Sequence, residues 1–222
     1  MSNVRFSRDE IILALDVLYS AGEQRLNPQS PSVIALSELL NELPIHKSNV
    51  KKNNFRTPSG VLKQLKLFEK SYVKCIKNAD VGSKFYEIAS EFENRREELH
   101  AIACAIKRNI DSYDMITFGN EIESNSFPEG ALLGHLHCIL EKRDGAGIKA
   151  DSQCMVCGIN TKEIYRGGLD LVTLHLTVPI ADINWEKRYT AEDFISVCPN
   201  CHAALHRTRP WLMKEFCEKI LD

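Results

Sequence analysis

Cys154-Met-Val-Cys157-Gly158 opens, and Cys198-Pro199-Asn200-Cys201-His202-Ala203-Ala204-Leu205-His206 closes, the stretch whose reading decides the fold. Each Cys-x-x-Cys can place two thiolates on one ion from a tight turn. Two such pairs complete a closed tetrahedral zinc site. Gly158 and Pro199 suit the two turns. A redox Cys-x-x-Cys would need a thioredoxin-like βαβ context, which is missing here. Structural zinc at Cys154, Cys157, Cys198 and Cys201 would contribute folding free energy of roughly 10 kcal/mol, so a small unit without a large core can be rigid. The gap between the pairs is longer than a zinc ribbon needs, and it holds a lone His175. The second pair runs into His202 and His206. At i and i+4, a helix starting near Pro199 puts both imidazoles on one face, as a second set of metal ligands. The alternative for that pair is a Cys-His knuckle plus a packed helix histidine.

Outward from this stretch, the 222 residues suffice for one large or two small domains. No apolar run approaches membrane-spanning length, and the N-terminus MSNVRFSRDE is charged with no secretory h-region. A cytoplasmic protein with no membrane partner is expected. In that reducing compartment Cys75, Cys104, Cys138 and Cys217 read as buried or half-buried small hydrophobes rather than disulfides. The formal net charge of −2 argues against wholesale polyanion binding but leaves room for local patches. One such patch runs from His46 to Asn78, where Lys47, Lys51, Lys52, Arg56, Lys63, Lys66, Lys70, Lys74 and Lys77 face only Glu69.

The chain before the cysteines reads as helical. Ser7-Arg8-Asp9-Glu10 is a capping box, and the apolar residues after it predict a buried helix to about Ser20, ended by Ala21-Gly22. Pro31 begins a second helix to about Leu43. Thr57-Pro58 starts a third, Ser59 to about Phe68. A basic third helix in a cluster of short helices suits a DNA reader of helix-turn-helix type, or equally a bundle with solvated lysines. Lys84 to about Asn109 reads as one long scaffold helix with an exposed turn at Arg95 to Glu98. Residues 111–128 are polar and aperiodic, a linker between a helical unit at 1–110 and a second unit at 129–222. In the second unit His135 and His137, at i and i+2, cannot share a helix face, so packing or phosphate contact is expected of them. The tail from Pro210 reads as an amphipathic helix, either a lid or the contact of a homodimer.

The stretch resembles the HNH nuclease family, whose ββα-metal module joins a β-hairpin, a metal ion and a helix. It is similar to the subgroup with zinc-binding cysteine pairs, among them modified-cytosine restriction endonucleases of the McrA type. The hairpin would be Leu171 to Ile180, with His175-Leu176-Thr177-Val178-Pro179 as its key string, and the helix Asn200 to Arg207. The strings from Phe6, from Val33 and Phe55-Arg56-Thr57-Pro58-Ser59-Gly60-Val61 look like the family's N-terminal region. His137 and Lys142-Arg143 look like its lead-in to the first cysteine pair.

The resemblance implies an α+β fold, with a helical DNA-recognition domain and a zinc-stabilised nuclease domain. It implies hydrolysis of phosphodiester bonds in double-stranded DNA, in some members modified DNA, with one divalent ion (Mg²⁺, Mn²⁺ or Zn²⁺). His175, His202 and His206 would hold that ion, with His175 as ligand or base. Asp193, in the family's usual Asn slot, would orient the base or bridge the hairpin to the helix. Arg56, Lys63, Lys66 and Arg207 would contact DNA. Leu176 falls where the family's general-base histidine usually stands, and Leu carries no proton. The alternative is therefore a DNA-binding protein of the same fold with impaired cleavage.

Overall fold

The computed structural model describes residues 5–46, 51, 55–78, 84–112, 131–164 and 167–207, with backbone alone for 71–78 and 131. The chain forms two compact units, Met1–Asn125 and Ser126–Asp222. The class is α+β, mostly helical with one two-stranded sheet. Most of the linker expected at 111–128 and all of the helix expected from Pro210 lie outside the described residues.

Five helices build the first unit: α1 Arg8–Ala21, α2 Pro31–Glu42, α3 Pro58–Asn78, α4 Lys84–Glu91 and α5 Arg96–Arg108. The capping box starts α1. The Ser7 hydroxyl accepts from the Glu10 amide, and the Glu10 carboxylate accepts from the Ser7 amide. Ile11, Ile12, Leu13 and Leu15 of α1 are buried with Val33, Leu36 and Leu40 of α2 and with Leu99, Ile102 and Ile106 of α5. Two expectations need correction. The third helix runs on past Phe68 to Asn78. The long helix from Lys84 is instead two helices. The chain leaves α4 at the fully buried Phe92 and re-enters α5 at Arg96, with the Arg95 amide bonded to the Phe92 carbonyl. Anchoring Phe92 in the core turns the chain without glycine or proline. Periodicity alone reads through such a turn.

In the second unit, α6 Ala131–Asp144 precedes the cysteines and buries Leu132, Leu133, Leu136 and Leu140. A short helix, α7 Thr161–Ile164, follows the first pair. The sheet pairs β1 Thr173–Leu176 with β2 Phe194–Val197, antiparallel, setting His175 opposite Ile195 and Leu176 opposite Phe194. The expected hairpin Leu171 to Ile180 does not form. After Leu176 the Thr177 amide and hydroxyl both donate to the Asp193 carbonyl, so the partner strand arrives only after a long connection. α8 Pro199–Arg207 packs against β1, as does α6. The second cysteine pair thus sits at the junction of β2 and α8.

Candidate metal centre

The four cysteines come together from two turns. The Gly158 amide bonds to the Cys154 carbonyl, and the Cys154 amide to the Ile159 carbonyl. Gly158 adopts φ +73°, which glycine takes without strain and other residues rarely do. The Met155 amide ties this turn to the Ser196 carbonyl on β2, beside the second pair. The four Sγ atoms lie within 4.8 Å of one another, and Cys157 Sγ is 3.8 Å from Cys198 Sγ. Sulfurs about 2.3 Å from a tetrahedral zinc are about 3.8 Å apart, while a disulfide would bring them to about 2 Å. The four thiols could therefore hold a metal such as zinc. Burial pushes the Cys154 thiol up, but amide hydrogen bonds from the turn outweigh it and hold the group down at about 7. Burial and the neighbouring thiols push Cys201 far up. Four thiolates without a cation would repel one another, and a divalent ion removes that penalty.

The second cluster is built from three elements. Strand alternation puts Thr173 and His175 on one face of β1. His175, with its side chain 1% exposed, turns its ring toward α8, 5.3 Å from the His202 ring and 5.0 Å from that of His206. The Thr173 hydroxyl lies 3.0 Å from His202 Nδ1, which directs Nε2 inward. His202 Nε2 and His206 Nε2 are 2.9 Å apart, as one helix face at i, i+4 allows. The three imidazoles singled out in the sequence thus converge.

α6 adds two residues that were not expected there. Glu141 places Oε1 2.8 Å from His175 Nδ1, and Oε2 3.2 Å from both His202 Nε2 and His206 Nε2. His137, one turn earlier, bonds through Nε2 to the Leu176 carbonyl at 2.9 Å and lies 3.5 Å from Glu141 Oε1 through Nδ1. His137, Glu141, His175 and His206 offer ligand atoms within 4.8 Å of one another. The signal was present as His137-x-x-x-Glu141, an i, i+4 pair on one helix face.

The other expected residues sit elsewhere. Asp193 reaches no imidazole of the cluster. Its carboxylate accepts from the Thr190 amide and hydroxyl and caps the short turn Ala191–Asp193. Leu176 is 1% exposed, and alternation points it to the face opposite His175. It still serves the cluster through its backbone, since its amide donates to Glu141 Oε1 at 3.0 Å. Arg207 is exposed at the end of α8. In the first unit Lys63 and Lys66 are exposed on α3. Arg56 does not face outward as expected. Its guanidinium forks onto the buried Glu10 carboxylate at 2.7 and 3.0 Å, stacked over the Phe6 ring at 3.9 Å.

The electrostatics of the second cluster fit metal ligands. Burial pushes the Glu141 carboxyl up, but its contacts to His175, His202 and His206 outweigh this and hold it well below the usual carboxylate range. Burial pushes His175 down, and drives His137 down to about 3. An ionised carboxylate beside His137 and His175, both held toward their neutral forms, is a protonation state that suits a divalent ion. His175 Nε2 is buried without a hydrogen-bond partner among the described residues, an arrangement that favours a bound cation. Comparison with known families, curated proteins and solved structures finds no match for this chain.

Proposed function

We propose that the chain is a DNA endonuclease of the ββα-metal type, hydrolysing phosphodiester bonds with one divalent ion held by His175, His202 and His206. The observation that carries this reading is the convergence of those three rings, from β1 and α8, beside a four-cysteine knuckle. An ion bound there supplies positive charge for the phosphate in the transition state and makes water a better nucleophile. The residues of this chain fix the geometry. Thr173 orients His202, Glu141 draws the rings together, and the thiolate-held turn anchors β2 against β1. Arg207 is exposed at the end of α8, which supports a role for it in phosphate contact. Exposed Lys63 and Lys66 supply a basic face on the first unit, suited to the backbone of double-stranded DNA.

One observation favours a second reading, a DNA-binding protein of this architecture with impaired cleavage. Leu176 is turned into the core and Asp193 is taken up by Thr190, so the family's base and its orienting partner are both missing. Plasmid cleavage separates the two. With Mg²⁺, Mn²⁺ or Zn²⁺ the wild type is expected to nick or linearise plain, methylated or hydroxymethylated DNA. His175→Ala and His206→Ala are expected to abolish this. No cleavage of any of the three substrates, with gel-shift binding retained, sinks the nuclease reading in favour of the binding one.

A further inference from the structure

Glu141 lies at the centre of the imidazole cluster, and its surroundings are those of a ligand. We infer that Glu141 binds the divalent ion directly, forming a two-histidine, one-carboxylate face with His202 and His206. This donor set selects a d-block ion such as zinc or cobalt over magnesium. The inference rests on the nuclease reading for the presence of an ion among these histidines.

The first ground is distance. Glu141 Oε2, His202 Nε2 and His206 Nε2 form a triangle with sides of 3.2, 3.2 and 2.9 Å. Atoms about 2.1 Å from a shared ion stand about 3.0 Å apart on adjacent octahedral vertices and about 3.4 Å apart on a tetrahedron. The observed sides fall in or next to that range, so one ion can touch all three atoms. Hydrogen bonds alone satisfy the triangle less well. Two neutral imidazole nitrogens can share one proton, while the carboxylate oxygen needs donors from both rings. A dication meets three lone pairs at once.

The second ground is the outer contacts, which fix ligand atoms from behind as second partners do around metals. The Leu176 amide holds Glu141 Oε1 and leaves Oε2 to face the two rings. Thr173 holds His202 Nδ1 and leaves Nε2 inward. The Leu176 carbonyl accepts from His137 Nε2, which fixes that ring with Nδ1 toward Glu141. The third ground is His175, buried with Nε2 lacking a partner among the described residues and its ring turned to the same face. It offers a fourth donor.

The identity of the ion follows from the donors. Imidazole suits zinc, iron, nickel and cobalt, while magnesium prefers oxygen ligands and keeps several waters. Two of the three donors of the face are imidazole nitrogens, which magnesium, held mainly by carboxylates, phosphates and waters, matches poorly. Glu141 also bears on the missing base. A d-block ion acidifies water far more than magnesium does, so the chemistry needs less from a side-chain base.

The test is metal titration of the full chain with its four-cysteine ion in place. One further equivalent of Co²⁺ is expected to bind, giving d–d absorption without thiolate charge-transfer bands. Excess Mg²⁺ is expected not to displace it. Glu141→Gln, which keeps an acceptor for the Leu176 amide, should weaken Co²⁺ binding by more than ~100-fold. Thr173→Val, at an exposed position, should weaken it by ~10–100-fold. Cobalt affinity unchanged in Glu141→Gln, or displacement by Mg²⁺, overturns the inference. Should Glu141→Gln fail to fold, Thr173→Val decides by the same criterion. Cleavage assayed in parallel separates the two claims. Cobalt bound through Glu141 without cleavage upholds the ligand and removes the nuclease. Cleavage with cobalt affinity indifferent to Glu141→Gln does the reverse.

Discussion

Glu10 in the first unit and Glu141 in the second are both shielded from water, with side chains 1% and 8% exposed. Their partners differ in kind. Glu10 meets the Arg56 fork, the Ser7 amide and His46 Nε2 at 3.0 Å. A guanidinium carries its charge at any ordinary pH, so this carboxylate is neutralised within the chain. Arg56 holds φ +44°, a region that residues other than glycine rarely enter, and the Glu10 fork and the Phe6 ring keep it there. Glu141 meets imidazoles, of which burial holds His137 and His175 toward their neutral forms. Its charge is balanced only if protons or a cation are added. The first cluster is complete as folded and locks α1 to the loop before α3. The second could hold a metal ion, and this separates a structural ion pair from a candidate site with similar burial.

Four experiments press on that contrast. The largest effect should come from a chelator, which would remove a metal ion held by the four cysteines. Loss of order 10 kcal/mol should unfold β1, β2 and α8 while α1 to α5 persist. Hydrogen exchange followed by peptide mass reads this directly, and uniform protection in both units after chelation would contradict it. Next comes Arg56→Ala. It leaves Glu10 as an uncompensated buried charge, so the first unit should lose about 3–5 kcal/mol by denaturant titration. Arg56→Lys should recover only part of this, because the fork and the ring stacking are lost.

Acid should separate the units by a smaller margin. His137 falls to about 3 in the folded chain, from 6.5 when exposed. The unfolded state therefore takes its proton first, and the second unit loses stability as pH drops from about 6.5 toward 3. At pH 5 the loss is about 2 kcal/mol, from the 1.5 pH units below 6.5. Proton competition for the ion acts in the same direction. Glu10 lies below its ordinary value in the folded state, despite burial, because His46 and Arg56 hold it ionised. Its contribution is present above about 4.5 and is lost as pH falls through the folded value. Circular dichroism and proteolysis between pH 7 and 4 should therefore show the second unit failing first. The smallest effect on stability, within about 0.5 kcal/mol, is expected for Lys63→Ala with Lys66→Ala, since both are exposed. The same pair should lower the salt dependence of DNA binding by up to about two phosphate contacts. An unchanged salt slope returns α3 to plain solvated surface.

Much of this contrast was legible in the sequence where chemistry is local. The capping box at Ser7, the two cysteine turns and the i, i+4 pair His202 and His206 each depend on a few adjacent residues. What escaped depends on distant partners. Arg56 looked like a surface cation because Glu10, its partner, stands 46 residues away. A hairpin would put the partner of β1 in the next few residues, yet β2 lies beyond a long connection. Glu141 carries no spacing signal toward His175 at all. Its i, i+4 relation to His137 was visible, but only packing of α6 on β1 shows what that face meets. Asp193 fits the motif by position, but the local capping chemistry of Thr190 takes up its carboxylate.

The proposed function depends on a cation within the imidazole cluster, distinct from one that the four cysteines could hold. Anomalous X-ray scattering at the zinc edge, from crystals of the zinc-loaded chain, tests this most directly. Two peaks are predicted, one among Cys154, Cys157, Cys198 and Cys201 and one in contact with His175, His202, His206 and Glu141. A single peak at the cysteines, with none among His175, His202, His206 and Glu141, would contradict it.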